Sequence, residues 1–331
     1  MVKDNFKNVV KQVQNFLKEN TEWKERYSCY ARSIEANLPI INEQRKNFNQ
    51  FNPLRLYITT GSLKDKKAVF SVRYLGQEVA KLSVKGENII LSTKGYEKNN
   101  TEHFGCNISV NNEDWTGKCA SDFRKYFSNH YKNNIKRKNE RKRNEEHRIE
   151  SLLLAEFSKR SSTSKSLTGI QPVKIANACF PMPTPISASN HTGIKYSGCS
   201  GGGIDIFARV GKHPTRLCVI EVKDETVLKE PPIKATEQAV AYATFIRELL
   251  RHDPTWYKLF GFSGELPKSL TILASCAMPY NKDLYDTSFD GQIIDIDDYD
   301  KIELHYIYFE ENNNTITKID SSINKKISKE Q

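Results

Sequence analysis

Residues 4–18 place Phe6, Val9, Val10, Val13, Phe16 and Leu17 at helical spacing with lysines and asparagines opposite, which predicts an amphipathic helix. A second helix is expected over 23–36, stopping before Pro39. From residue 54 the period changes to two. The stretches 54–60, 68–75, 77–84 and 88–93 read as short strands of an antiparallel meander, separated by Gly61-Ser62, Gly76 and Gly86. An Asn-rich stretch through Asn112 reads as loop, and 115–127 as the start of a helix. A further helix over 144–159 carries Ile149, Leu152, Leu153, Glu156 and Phe157 near one face, with Glu146, Glu150, Leu153 and Phe157 in one row. Then 161–168 is a polar Ser/Thr loop and 173–179 a short strand. Pro181, Pro183 and Pro185, followed by the small polar residues of 187–200, predict an irregular segment, either a packed Pro-loop or a substrate-contacting loop.

The chain is organised around 201–223. Its two apolar, β-branched runs, 204–210 and 216–223, flank a turn-like Gly211-Lys-His-Pro-Thr215 and read as a hairpin. Period two puts Asp205, Phe207 and Arg209 on one face, and Leu217, Val219, Glu221 and Lys223 on one face of the partner. A register with Phe207 opposite Val219 and Arg209 opposite Leu217 sets Asp205 opposite Glu221. A helix over 234–251 and an apolar strand over 270–277 follow, the crossover of a parallel pair. The alternating segment 301–309 reads as a last strand, with an edge position left open. Asp283, Asp286, Asp290, Asp295, Asp297, Asp298 and Asp300 lack calcium-loop spacing and read as loop charge, and the residues from 312 on as a frayed polar tail.

Two carboxylates and an ammonium converging on an apolar strand cost several kcal/mol to bury unless they are paired or metal-bound. A hard divalent cation with oxygen ligands relieves the repulsion between Asp205 and Glu221, so Mg²⁺ is the natural ion, with Mn²⁺ as a substitute. Lys223 cannot ligate such a cation. It is placed to orient or deprotonate a water, or to neutralise charge developing on a phosphate. The alternatives are a buried ion pair or a solvated edge hairpin.

At these residues the chain resembles the PD-(D/E)xK nuclease superfamily. Ile204-Asp205 is similar to the PD element with isoleucine in place of proline, and Glu221-Val222-Lys223 matches the E-x-K element. The resemblance covers 145–280. It implies a restriction-endonuclease-like fold, that is, a mixed β-sheet flanked by helices, and Mg²⁺-dependent hydrolysis of nucleic-acid phosphodiesters. It implies Asp205, Glu221 and the carbonyl of Val222 as metal ligands. Glu150, or else Glu146, would be the acidic residue that the family's first helix sends to the metal, a surface salt bridge being the other reading. Gln238-x-x-x-Tyr242 resembles the polar pair that follows E-x-K in one branch of the family, placed to hold a phosphate or the nucleophilic water. A core tyrosine beside a solvated glutamine is the bland alternative.

Composition adds a partner class. Among 331 residues, 50 Lys and Arg face 40 Asp and Glu, and the net charge of +10 favours a polyanion. Lys132, Lys136, Arg137, Lys138, Arg141, Lys142 and Arg143 form the most basic segment, fit for phosphate contacts without sequence readout or for a solvated linker helix. Arg73, interleaved with Phe70, Val72 and Tyr74, is a further nucleic-acid candidate or an ordinary sheet residue. Seven scattered cysteines without a C-x-x-C pair suggest neither zinc nor disulfides and fit a reducing cytoplasm, and no apolar run reaches the ~18 residues of a membrane span. The expected protein is thus α+β: an accessory α+β domain over 1–143, a nuclease-like domain over 144–311 and a tail over 312–331. Double-stranded DNA is the expected partner, with a homodimer left open. An inactive nucleic-acid-binding module, an RNA-directed nuclease and a hydrolase of another phosphate ester are the competing functions.

Overall fold

The computed structural model describes residues 2–43, 52–59, 69–85, 88–93, 96–133, 145–158, 169–175, 177–189, 192–211, 214–224 and 230–323. In chain order its elements begin with helices α1 (Val2–Glu19) and α2 (Glu22–Glu43). Strands β1 (Arg55–Ile58), β2 (Val69–Tyr74), β3 (Gln77–Lys85) and β4 (Asn88–Ser92) follow, then α3 (Tyr96–His103), β5 (Asn111–Asp114), α4 (Lys118–Lys132) and α5 (Glu145–Phe157). Next come β6 (Ile170–Pro172), β7 (Lys174–Ile175), β8 (Ala178–Cys179), β9 (Ile186–Ser189), β10 (Gly193–Tyr196), β11 (Ile206–Val210) and β12 (Arg216–Val222). The chain closes with α6 (Pro232–His252), α7 (Thr255–Leu259), β13 (Thr271–Pro279), β14 (Ile293–Asp295), β15 (Lys301–Asn312) and β16 (Thr315–Ser321). The protein is α+β.

The chain forms two compact units, divided elsewhere than at 143/144. One comprises Met1–Ser28, Leu152–Val173 and Pro181–Gln331; the other comprises Cys29–Ser151 and Lys174–Phe180. The N-terminal residues join the first unit because α1 packs on α6, and because Trp23 and Tyr27 meet Phe245 edge-on at 5.8 and 4.9 Å. Fully burying an aromatic ring such as Phe245 contributes about 2 kcal/mol, so this interface outweighs proximity along the chain.

The first unit holds a mixed sheet in the order β14-β15-β13-β12-β11-β6, with β16 beyond β15. Leu217 to Val222 are buried without a break, as expected of a strand covered on both faces. β12 pairs antiparallel with β11 and parallel with β13, the latter reached by the α6 crossover. Ala235, Ala239, Ala241 and Ala243 are all fully buried on α6, and their small side chains let the helix lie close. The helix is also tied to the opposite end of the sheet: Asp300, buried, accepts from Arg247, Arg251 and the backbone N–H of Leu270. Asp300 is therefore a buried anchor rather than loop charge. The segment 301–312 is no edge, since β15 pairs with β13, β14 and β16, and residues 315–321 form a strand where a frayed tail was expected.

The second unit is a sheet in the order β5-β4-β3-β2-β1-β8-β7. The four meander strands fall where the alternation predicts them. Tyr74, Phe104, Phe127 and His130 pack at ring distances of 4.7 to 6.1 Å, and the Tyr74 hydroxyl lies 2.8 Å from His130 Nδ1. Here too the pattern misleads in places. α2 runs through Pro39 because Ile34 and Ile41, seven residues apart on one face, are fully buried and outweigh one lost N–H. α3 and β5 occupy the Asn-rich stretch expected to be loop. The expected strand over 173–179 is two two-residue strands reversed at Asn177, whose φ is +68°.

Candidate metal and catalytic site

The β11–β12 register is the one anticipated, with Phe207 opposite Val219 and Arg209 opposite Leu217. The ladder ends at Ile206 and Ile220, so Asp205 lies one residue outside it. Beyond that point the Val222 N–H still faces β11 and requires an acceptor. Asp205 supplies it: its Oδ2 accepts the Val222 N–H at 2.8 Å. The Val222 carbonyl points to the same edge, because N–H and C=O of one extended residue share a side, while Lys223 N–H turns the other way to Ala277 O at 2.9 Å. Asp205 is half-buried, whereas Glu221 and Lys223 are buried, and a carboxylate oxygen of Asp205 lies within 4.8 Å of one of Glu221.

Two residues apart on one face of β12, Lys223 and Glu221 pair with Nζ 2.7 Å from Oε1. Lys223 also donates to Gln238 Oε1 at 3.3 Å, and Gln238 in turn donates its amide to Glu230 Oε1 at 2.6 Å. All four side chains are at least nine-tenths buried. Glu230 was not among the expected residues. It stands immediately before Pro231 and Pro232, and local pattern reveals only a helix start there; its role depends on α6 folding back along β12.

Tyr242, one turn beyond Gln238, is also brought to the carboxylates. Burial, with the negative charges of Glu221 and Asp205, pushes its pKa well above 10.0, so it stays a neutral hydroxyl. That hydroxyl meets the backbone of Ala188, with the N–H at 3.3 Å and the carbonyl at 3.5 Å. Its contacts are thus to β9, which pairs antiparallel with β10 in the segment expected to be irregular. The glycine loop is equally engaged. Thr184 N–H donates to Gly202 O at 2.9 Å, Gly202 N–H to Ile186 O at 3.0 Å and Ile204 N–H to Met182 O at 3.0 Å. A Cβ on Gly201 would collide with Thr184 O, and one on Gly202 would lie 2.6 Å from the Tyr242 hydroxyl. The Pro-rich segment is a packed support for the loop carrying Asp205.

The remaining candidates belong to the second unit or fall outside the described residues. Glu150 and Glu146 belong to the second unit. There Glu150 is buried, its Oε2 3.3 Å from His147 Nδ1, and Glu146 is half-buried. Arg73 stacks on Tyr57 in that unit. Lys132 is exposed at the end of α4, while Lys136, Arg137, Lys138, Arg141, Lys142 and Arg143 fall outside the described residues.

The chain matches no family model, no curated protein and no solved structure.

The donor set itself can be tested for fit to an ion. Two carboxylates and a backbone carbonyl are hard oxygen donors, which suit Mg²⁺ or Mn²⁺. Asp205 and Glu221 bring two negative charges close together, and Lys223 offsets one of them. The residues fit a divalent cation held by Asp205, Glu221 and the Val222 carbonyl. Among the described residues no helix is long and apolar enough to cross a membrane.

Proposed function

We propose that the chain is a metal-dependent nuclease of the PD-(D/E)xK type, hydrolysing phosphodiester bonds of DNA as an endonuclease of the restriction, antiphage or repair kind. The observation that carries this reading is the convergence of Asp205, Glu221 and Lys223 at the end of a buried central strand, with Gln238 of the next helix on the lysine. A hairpin, a crossover helix and a parallel strand on one mixed sheet support a restriction-endonuclease-like core for the first unit.

The roles follow from the contacts. Asp205 and Glu221 would hold Mg²⁺, with the Val222 carbonyl as a third donor. The bound ion would supply Lewis-acid polarisation of the scissile phosphate and a lower pKa for an attacking water. Lys223, held by Glu221 and Gln238, would present its ammonium to that water or to the charge that grows on phosphorus-bound oxygen. Gln238 would fix the lysine's direction. Tyr242 would steady the loop that delivers Asp205.

The test is incubation of purified protein with supercoiled plasmid and Mg²⁺, with EDTA and Lys223→Ala as controls and single-stranded DNA and RNA as further substrates. Cleavage that needs both the ion and Lys223 is expected. Binding of DNA without cleavage in Mg²⁺ or Mn²⁺ would leave a nucleic-acid-binding module and remove the enzyme.

A further inference from the structure

Arg55 on β1 and Arg73 on β2 are cross-strand partners, so their side chains leave the same face of the second unit's sheet. Like charges set directly opposite each other destabilise a strand pair, and here Arg55 is only 5% exposed. Tyr57, two residues from Arg55 and hence on the same face, is 1% exposed, and among the described residues its hydroxyl has no hydrogen-bond partner. Arg73 stacks over the Tyr57 ring with its guanidinium carbon 4.3 Å from the ring centre, and donates Nε–H to Ser71 at 3.4 Å. Lys174 is added through its register with Cys179, which is itself opposite Tyr57.

The setting is electropositive. Burial and the charge of Glu150 hold the Tyr57 pKa well above 10.0, so the hydroxyl remains a donor. Glu150 acts on Tyr57 and shares its Oε2 with His147, whose pKa that hydrogen bond raises, with the charge of Glu146 adding to it. Against Arg55, Arg73 and Lys174 stand Glu150 and, toward His147, Glu146. The position of His147 is set by the β2–β3 turn: Gly76 has φ +80°, and a Cβ there would lie 2.5 Å from the His147 carbonyl oxygen. Half-buried Arg73 and exposed His147 form the open side of the cluster.

Among the described residues, a buried hydroxyl donor and two facing guanidinium groups have no acceptor with several oxygens and more than one negative charge. We propose that this face of the second unit binds a phosphate group, with Arg55 and Arg73 on its oxygens and Tyr57 donating its hydroxyl. Phosphate fits better than a carboxylate, because two planar forks and a hydroxyl offer more donors than one carboxylate accepts. The proposal does not rest on the nuclease reading. The phosphate comes either from the end of a nucleic-acid strand or from a free phosphate such as a mononucleotide.

The experiment is calorimetric titration of the full chain in EDTA, which silences the metal centre, with inorganic phosphate, AMP, and matched oligonucleotides carrying a 5′-phosphate or a 5′-hydroxyl. Binding to the wild type is expected to weaken about tenfold in Tyr57→Phe and at least as much in Arg73→Lys, which keeps the charge and loses the fork. Melting in phosphate-free buffer is expected to be unchanged or higher in Tyr57→Phe, because among the described residues the hydroxyl has no bond to lose. Preference for the 5′-phosphorylated strand over AMP and inorganic phosphate assigns the site to nucleic-acid ends; equal binding of the small phosphates assigns it to a free ligand. Phosphate affinity unaffected by Tyr57→Phe overturns the proposal, as does a lower melting temperature of that variant without phosphate, since the hydroxyl would then have a partner inside the protein. Because Tyr57→Phe removes a single buried atom, the test survives even if substitutions of Arg55 do not fold.

Discussion

Gln238 donates its side-chain amide to Glu230 at 2.6 Å and accepts from Lys223 at 3.3 Å, so a carboxylate at the mouth of α6 decides which way the amide faces. An ionised carboxylate only accepts, which turns the NH₂ of Gln238 toward Glu230 and its oxygen toward the ammonium. Glu230 thereby positions Lys223 at second hand.

Glu230→Ala is expected to lower kcat about 100-fold with KM little changed, since a misdirected lysine costs transition-state contacts more than substrate binding. Glu230→Gln is expected to keep most activity, because its carbonyl still accepts from Gln238. Steady-state kinetics on both variants decide; a Gln variant as poor as the Ala variant would end the positioning role.

The hydrogen bond that Asp205 accepts and its proposed metal role separate in a pair of substitutions. Asp205→Asn keeps an acceptor for the Val222 N–H, whereas Asp205→Ala loses it, at about 1 to 2 kcal/mol of stability. Both are expected to lose Mg²⁺ binding by calorimetry and cleavage by several powers of ten. Unchanged Mg²⁺ affinity in both would remove Asp205 from the proposed metal site.

Lys223→Met leaves the buried Glu221 without its 2.7 Å partner, a loss of about 3 to 5 kcal/mol in EDTA. Mg²⁺ should restore more stability to this variant than to the wild type, because the cation replaces the missing positive charge. Lys223→Arg is expected to fold and bind metal yet not recover turnover, as a guanidinium differs in reach and does not release its proton. Urea denaturation with and without Mg²⁺ measures the first claim, single-turnover cleavage the second.

Asp300 titrates against the fold. Burial by itself would raise its pKa, but hydrogen bonds from Arg251, the Leu270 N–H and Arg247 more than reverse this and hold it below 3.8. A depressed carboxyl stabilises fully above its unfolded pKa and loses that contribution as pH falls through its folded pKa. The wild type should therefore lose stability steeply below about pH 4, and Asp300→Asn should show a lower plateau and a flatter acid limb in denaturation curves taken at successive pH values.

Gly202→Ala drives a methyl against the Tyr242 hydroxyl and is expected to cost about 1 to 3 kcal/mol. Adding Tyr242→Phe removes the oxygen it strikes, so the double variant should be more stable than the sum of the single changes predicts. A double-mutant cycle with no coupling would place the strain at the Ile186 carbonyl, 3.2 Å from the same methyl, instead.

Much of the first unit was legible in the chain itself. Period two anticipates the β11–β12 register, and the apolar run before Glu221 the central place of β12, because a strand without polar alternation needs cover on both faces. The same alternation carries the meander of the second unit. Where apolar periodicity is weak, the reading falters: β5 is Asn111–Asp114 and β9 follows three prolines, and both form because a neighbouring backbone offers hydrogen bonds.

The sequence by itself thus determined the hairpin, the carboxylate pair and the lysine beside Glu221, since strand geometry ties residues 205, 221 and 223 together over short chain distances. Tertiary structure alone decided the rest: that α1 belongs with α6, that Asp300 is a buried anchor, that Glu230 steers Gln238, and that Arg55 faces Arg73 beside a tyrosine whose hydroxyl has no hydrogen-bond partner among the described residues. The physical reason is common to all four. Each depends on packing or pairing between segments distant along the chain or on different elements, and periodicity reports which face of an element is covered without naming what covers it.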